Sequence, residues 1–461
     1  MKHPELSPAF CAANGIIITH REANRIHFGM LSIDDTVLQK RVAKAYPDFK
    51  CVFAEMKGDS FNLKLSQLFS EDEAPLDGEP SHDSRESIID KIADDAPVVN
   101  LLNSIFLEAV SRRASDIHIE SGSANCVIRF RVDGMLAAVK AIPLERAIAV
   151  SARLKILANL NVLESRKPQD GHIDVKTDSY SLDVRISIVP TIWGESIVLR
   201  LLNRSDSPSG LDSLGFSPSH SLHLQNIKNI SSGLILVTGP TGSGKTTTLT
   251  AILKELNTGD TKIISIEDPV EYRTEGITQI QVHEELQLTF DAILRRLFRQ
   301  DPDIIMVGEI RDVETAELAV RAALTGHLVL ATLHTNNAAE AVYRLQNMGI
   351  PAYMVAAVLR LVIAQRLIRK VCPQCLAIGC AVCCNTGHWG RTLAAEFIPV
   401  DLVLSDMIAA EAGIEQLRSY LRRNCFRDIF DDADEKVSAG ITTAAEIRRE
   451  LGSKITAGVN V

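Results

Sequence analysis

At 461 residues the chain is long enough for two or three domains with full cores, and 46% hydrophobic with 23% charged residues is a globular composition. The net charge of −9 argues against a body built to hold nucleic acid, so no nucleic-acid partner is expected. The longest apolar stretch, Met354 to Ile368, is broken by Arg360, Gln365 and Arg366, and the first residues, Met1 to Pro8, lack the apolar core of a signal peptide. A cytoplasmic protein without a membrane span is therefore expected. Five of the nine cysteines fall between Cys372 and Cys384, which is metal-site spacing rather than a disulfide framework.

In chain order, residues 1–69 predict a small α/β unit. Arg25 to Met30 and Lys50 to Ala54 are strand-like, and Asp34 to Ala45 is helix-like. Residues 70–94 open on an acidic stretch with Pro75, Gly78 and Pro80, a composition that cannot bury a core and predicts a flexible linker. The segment 95–207 predicts an α+β domain with a mixed sheet. Val98, Leu101, Leu102, Ile105, Phe106 and Ala109 recur at helical spacing after Pro97. Strands follow at Asp116 to Glu120 and Val127 to Val132, where Asp133-Gly134 supplies a hairpin turn. A helix is expected over Leu144 to Leu160, then strands near Ile173, from Tyr180 to Ile188 and from Ser196 to Leu202. Beyond a connector at Pro208 to Phe216, short apolar strands alternate with helices to about Val371, which predicts a mostly parallel sheet in a domain spanning 208–461.

The sharpest chemical signal lies at Gly239, Pro240, Thr241, Gly242, Ser243, Gly244, Lys245 and Thr246, a full match to GxxxxGK[ST]. The apolar run Leu234 to Val237 enters it, and a helix from Thr247 to Leu256 leaves it with Leu249, Ile252, Leu253 and Leu256 on one face. Glycines let backbone N–H groups curl around phosphate oxygens while the helix directs its positive end at them. Lys245 can then neutralise the β- and γ-phosphates, and the Thr246 hydroxyl can ligate Mg²⁺.

The strand Lys262 to Ile266 ends at Glu267-Asp268-Pro269, where a carboxylate sits beside the ligand crevice of such a sheet. A second strand, Asp303 to Val307, has Gly308 in the usual strand-end aspartate position and Glu309 after it. Glu309 is read as holding Mg²⁺ through a water and Glu267 as the base that activates the attacking water; on the residues alone the reverse division is open. His327 and His334 bracket a third strand and are either sensors of the γ-phosphate or ordinary polar residues. Arg295 and Arg299 lie at i, i+4 spacing, while Arg185 and Arg200 lie on strands of the preceding domain. Each is a candidate for the added cation that phosphoryl transfer rewards, or a surface charge.

Four boxes occur in one order: GPTGSGKTTTL, IISIEDPVEY, LRRLFRQDPDIIMVGEIRD and TGHLVLATLHTN. SDIHIE, IRFRVDG, RKPQDG and VRISIVPTIWGESIVLRLL precede them. Over about residues 95 to 400 the chain resembles the secretion ATPases that drive type II secretion and type IV pilus assembly. The resemblance implies a RecA-like P-loop ATPase domain, a PAS-like α+β domain before it, and a small N-terminal α/β docking unit. It implies ATP and Mg²⁺ as cofactors, Glu267 as base, Glu309 at the metal, and Thr247 within the nucleotide site. His327 and His334 match the histidine box. Arg185, Arg200, Arg295 and Arg299 match arginines that reach the nucleotide, some across domain or subunit boundaries. A homo-hexamer is implied, working on an inner-membrane platform protein and docked on the cytoplasmic segment of a membrane-anchored assembly protein.

Two features depart from the family pattern. His172 follows RKPQDG where the family usually has arginine, and only Leu376 to Gly379 separates the knuckles Cys372-Cys375 and Cys380-Cys383, in place of a long insert. Four thiolates around Zn²⁺ are still feasible, with Cys384 as an alternative ligand and a metal-free loop as the other outcome. A pilus retraction ATPase is the alternative within the class; a DNA motor and a nucleotide-gated scaffold with little hydrolysis are alternatives outside it.

Overall fold

The computed structural model describes residues 11, 15–22, 25–33, 36–46, 49–58, 60–61, 64, 96–176, 181–203, 210–380 and 382–452, so the expected linker at 70–94 lies outside the described residues. The chain divides into two compact units, Met1–Asn203 and Arg204–Val461.

The first unit carries two sheets. A three-stranded one has the order β1-β2-β3, with β1 Ile16–Glu22, β2 Arg25–Met30 and β3 Lys50–Glu55. Helix α1 (Thr36–Ala45) connects β2 to the parallel β3, so Ile26, Phe28, Leu38 and Val42 share one small core. The strand β1 has no counterpart among the expected elements. The second sheet has the order β6-β5-β4-β9-β8-β7: β4 Ala114–Ser121, β5 Asn125–Val132, β6 Met135–Pro143, β7 Gln169–Lys176, β8 Ser181–Thr191 and β9 Gly194–Asn203. It is antiparallel throughout, not mixed, because its neighbours are joined chiefly by hairpins. At the β5–β6 turn Asp133 and Gly134 take φ of 49° and 87°, the positive pair a two-residue hairpin requires. Helices α2 (Ala96–Ser111) and α3 (Leu144–Leu157) complete its core through Leu102, Phe106, Val150 and Leu154.

The second unit is built on seven strands in the order β12-β11-β13-β14-β10-β15-β16. These are β10 Gly233–Thr238, β11 Ile263–Glu267, β12 Ile277–Gln281, β13 Ile304–Val307, β14 Leu328–Leu333, β15 Leu359–Val371 and β16 His388–Pro399. All pair in parallel except the β15–β16 hairpin. Helices α4 (Pro218–Ile227), α5 (Lys245–Leu256), α6 (Phe290–Leu297), α7 (Val313–Leu324), α8 (Ala338–Asn347) and α9 (Ala352–Val358) precede or connect the strands. Both faces are covered, which explains why β10, β11, β13 and β14 read as unbroken buried runs. No helix among the described residues is long and apolar enough to cross a membrane.

Among the described residues four helices follow β16: α10 (Leu402–Ala409), α11 (Ile414–Arg423), α12 (Ile429–Ser438) and α13 (Ala444–Leu451). Buried charge fastens the last two to the hairpin. On α12, Asp432 accepts from the Ala395 N–H at 2.9 Å and pairs with Lys436 at 2.6 Å. On α13, Glu446 is fully buried and accepts from the Arg369 backbone N–H (3.1 Å), its guanidinium (2.6 Å) and Arg449 (2.6 Å). Burial opposes the Glu446 charge, but those donors prevail and bring its pKa from 4.5 down to about 2. A carboxylate depressed this way stabilises the fold above pH 4.5 and loses that contribution as pH falls towards 2, an effect of up to about 3 kcal/mol. Glu446→Gln is therefore expected to lower the urea midpoint at pH 7. Its deficit should shrink as the pH is lowered through 4.5 towards 2; equal midpoints at pH 7 would dismiss this anchor.

Candidate active site

Parallel pairing brings the carboxyl ends of four strands to one edge of the seven-stranded sheet. Thr238 pairs with Leu333 and Ile266 with Val307, so Gly239, Glu267, Glu309 and His334 all emerge there. Such an edge is where open α/β sheets bind ligands.

The loop leaving β10 is shaped for close backbone approach. Gly239, Gly242 and Gly244 have φ of 152°, 77° and 87°, and a Cβ on Gly239 would meet the Gln365 carbonyl and Ser243 Oγ, each at 2.5 Å. Helix α5 starts at Lys245, which directs its first N–H groups into the loop. The Lys245 ammonium is buried and donates to the carbonyls of Gly239 (2.9 Å) and Pro240 (3.0 Å). Burial lowers its pKa, with Glu309 and Glu271 opposing and Arg366 adding to the fall. Ser243 Oγ is buried without a protein partner, a donor available to a phosphate oxygen. With the glycine cradle and lysine around it, this loop fits a triphosphate.

Among the carboxylates, Glu267 is buried, and its Oε1 accepts from Ser265 Oγ (2.6 Å) and Gln279 Nε2 (2.9 Å), both neutral donors. Glu309 is half-buried and lies between Arg311, which pairs with its Oε1, and His334, 3.1 Å from its Oε2. Burial raises the Glu309 pKa, but the Arg311 hydrogen bond and charge, with His334, hold it below the usual carboxylate value. Arg311 also reaches Asp268 at 3.5 Å. Gly308 is crowded: a Cβ there would lie 3.0 Å from the Ile266 carbonyl of the neighbouring strand. Thr246 and Thr247 open α5, and Thr247 Oγ1 lies 3.4 Å from the Tyr272 hydroxyl.

Other expected residues lie elsewhere. His327 precedes β14 at the opposite edge, its carbonyl bonded to the Gly233 N–H at 3.1 Å and its ring nitrogen 3.0 Å from the Ala322 carbonyl. The strand between His327 and His334 spans roughly 20 Å, at ~3.3 Å per residue. Arg299 is exposed beyond the end of α6, next to Phe298, whose ring packs 5.9 Å from that of His327. Arg295 is exposed on α6 and 3.6 Å from Asp291. Within one chain the structure does not bring His327 or Arg299 to the loop. In the first unit, Arg131, Asp116, Arg200, Arg185 and His172 stand in register across β5, β4, β9, β8 and β7, one row on one face of the sheet. Arg200 bonds Asp116 at 3.1 Å, and His172 lies 2.5 Å from Asp183.

Three residues at the loop edge escaped the sequence reading: Arg311, Arg366 and Gln365. Arg366 donates to the Asn336 carbonyl and Oδ1 at 3.3 and 3.2 Å, which ties β15 to the loop after His334. Gln365 Nε2 donates to the Ser243 carbonyl (2.8 Å) and its Oε1 accepts from Thr248 Oγ1 (2.9 Å). For Gln365 and Arg366 the only signal was a polar pair interrupting an apolar strand.

Beyond β15, the sulfurs of Cys372, Cys375, Cys380 and Cys383 all lie within 4.8 Å of one another, with close pairs at 3.7 to 3.9 Å. A tetrahedral Zn²⁺ with ~2.3 Å bonds requires sulfurs ~3.8 Å apart, so the four residues fit that ion. Burial opposes ionisation of Cys383, but the N–H groups of Cys380 and Gly387 face its sulfur and bring its pKa down to about 6. Cys384 is exposed and outside the cluster.

A phosphate loop between an inner strand of a mostly parallel sheet and its following helix, with two strand-end glutamates beside it, defines a P-loop nucleoside triphosphatase with a RecA-like core. The Type II/IV secretion system protein family matches residues 91–449, and the chain belongs to that family. The type II secretion system ATPase E of Vibrio cholerae is 38% identical over 93% of this chain and 92% of its own length. The type IV pilus assembly ATPase PilB of Myxococcus xanthus is 43% identical over 74% of this chain and 67% of its own. The crystal structure of the pilus retraction motor PilT with bound ADP superposes with a TM-score of 0.56 at 28% identity, covering 77% of this chain and 97% of that one. The protein is an ATPase of the secretion class.

The Gly239 contacts allow a direct check on the cradle. Gly239→Ala is expected to weaken nucleotide binding at least tenfold, because the methyl group must displace a strand carbonyl or Ser243. A fluorescent-ADP titration measures it, and unchanged affinity would show that the loop opens more freely than these contacts permit.

Proposed function

We propose that this ATPase is a hexameric motor that powers assembly of a type IV pilus or a type II secretion pseudopilus through an inner-membrane platform protein. The observation that carries the reading is the gathering of the phosphate loop, Glu267, Glu309 and His334 at one sheet edge. When bound, ATP supplies the transferable phosphoryl group and Mg²⁺ neutralises phosphate charge. Thr246 and Glu309 hold the metal, and Lys245 with residues 239–247 holds the phosphates. The partners of the two glutamates support their division of labour. Glu309 is kept anionic by a guanidinium, which suits a group facing a cation and makes it a weak base. Glu267 is held by neutral donors and takes the role of base, accepting a proton from the attacking water.

In this reading residues 1–69 dock on the cytoplasmic segment of a membrane-anchored assembly protein, and 70–94 are a linker. The PAS-like domain, 95–207, supplies Arg185 and Arg200 to the nucleotide held by 208–461, so that domain closure is coupled to turnover. Arg295, Arg299, His327 and His334 complete the site, some of them in a neighbouring copy. The protein works in the cytoplasm, held at the inner membrane by its partners.

In the assembled protein, Lys245→Ala should abolish ATP hydrolysis, whereas Arg200→Ala should keep nucleotide binding and lose most turnover. Activity retained in the first removes the basis of the reading, and normal turnover in the second removes the coupling. Cys372, Cys375, Cys380 and Cys383 hold a structural Zn²⁺. Protein purified without chelator should contain about one zinc per chain, and a metal-free preparation that keeps its fold would refute that site.

A further inference from the structure

Gln365 is fully buried on β15 in a run of apolar neighbours, where an amide is costly unless both its ends are bonded. Both are. Nε2 donates to the Ser243 carbonyl at 2.8 Å, and Oε1 accepts from Thr248 Oγ1 at 2.9 Å. The orientation of the amide is fixed by chemistry, because the Ser243 carbonyl can only accept. The two anchor points flank Gly244 and Lys245, the end of the loop and the start of α5. The backbone of Gln365 also constrains the other end of the loop, since its carbonyl is what a Cβ on Gly239 would strike.

We infer that Gln365 is a positioning residue of the phosphate loop: its side-chain amide fixes the Ser243–Gly244 peptide so that the Gly244 N–H faces the phosphates. The Ser243 carbonyl and the Gly244 N–H belong to one planar trans peptide unit and point in opposite directions. Drawing the carbonyl towards β15 turns the N–H away from the strand and into the cradle. The bond to Thr248 holds the first turn of α5 at the same time, so loop and helix N-terminus keep one geometry. Gln365 touches no phosphate itself. A residue wanted only for packing could be Leu or Met, and either would leave a buried carbonyl without its donor.

This inference rests on the triphosphate reading of the loop, and the test separates the two. The full-length protein and its Gln365→Met, Gln365→Glu, Thr248→Val and Lys245→Ala variants are titrated with fluorescent ADP, with unlabelled pyrophosphate as competitor, well below their melting temperatures. Gln365→Met should weaken both ligands about tenfold, the usual consequence of one buried unpaired carbonyl. Gln365→Glu, which keeps an acceptor for Thr248 but loses the donor to Ser243, should lose as much, and Thr248→Val, which keeps that donor, clearly less. Pyrophosphate has no base or sugar, so its parallel loss places the effect in the phosphate cradle. Affinities within twofold of wild type in Gln365→Met, with binding abolished in Lys245→Ala, would overturn the inference and leave the triphosphate reading standing. Failure of the wild-type protein to bind either ligand would overturn both. If Gln365→Met does not fold, Gln365→Glu decides the matter by the same criterion.

Discussion

The parallel pairing of β10, β11, β13 and β14 governs the rest of the ATPase unit. Each strand is buried on both faces, so its side chains are committed to packing and only its ends are free for chemistry. Parallel register then sends every carboxyl end to the same edge. The phosphate loop, Glu267, Glu309 and His334 meet there although almost a hundred positions separate the first from the last. The charges at that edge are arranged in compensating sets. Lys245 is satisfied by the loop's own carbonyls, Glu309 by Arg311 and His334, and Glu267 by neutral donors. At that half-buried edge Glu309 keeps its charge because Arg311 and His334 lie beside it.

The strand β15 links that edge to the rest of the unit. Gln365 bonds the phosphate loop, Arg366 the segment after His334, Arg369 the buried Glu446 of α13, and Cys372, just beyond the strand, begins the four-cysteine cluster. Within eight residues, all but the last of them on β15, the chain touches the phosphate loop, the segment after His334, helix α13 and the four-cysteine cluster. Each contact on the C-terminal side is strong in its own right. Glu446 is held by two arginines, and Asp432 on α12 binds both Lys436 and the backbone of β16. The helices after β16 therefore act as a brace on the hairpin whose first strand positions the loop.

What the sequence made legible follows from the range of the interactions. The phosphate loop is contiguous, its strand and helix flank it directly, and its residue types are dictated by backbone geometry, so it could be read without a fold. Gln365 and Ser243 are 122 positions apart, and nothing local to either announces the bond. Arg311 lies inside a recognisable box, yet its pairing with Glu309 depends on how the chain turns after β13. Of the strands, β1 (Ile-Ile-Ile-Thr-His-Arg-Glu) lacks alternation, and β6 exposes most of its residues as the edge of its sheet, so neither carries a clear period of two. The cysteine spacing pointed to a metal but left five candidates. Geometry reduces them to four, because Cys384 follows Cys383 on an exposed turn with φ of 52° and is not among the clustered sulfurs.

His327 shows how a linear motif can mislead about space. It shares one short run of sequence with His334, but the strand between them is extended, so the two histidines lie at opposite edges of the sheet. Arg299 lies on the same far side, through the packing of Phe298 on the His327 ring. A separation of roughly 20 Å along the strand is well beyond the reach of either side chain. Within a rigid ATPase unit, then, neither residue can contact a phosphate held by its own loop. A direct role in nucleotide chemistry for Arg299 or His327 requires a nucleotide bound by another copy of the chain. An active site divided in that way would make turnover depend on the association of two copies.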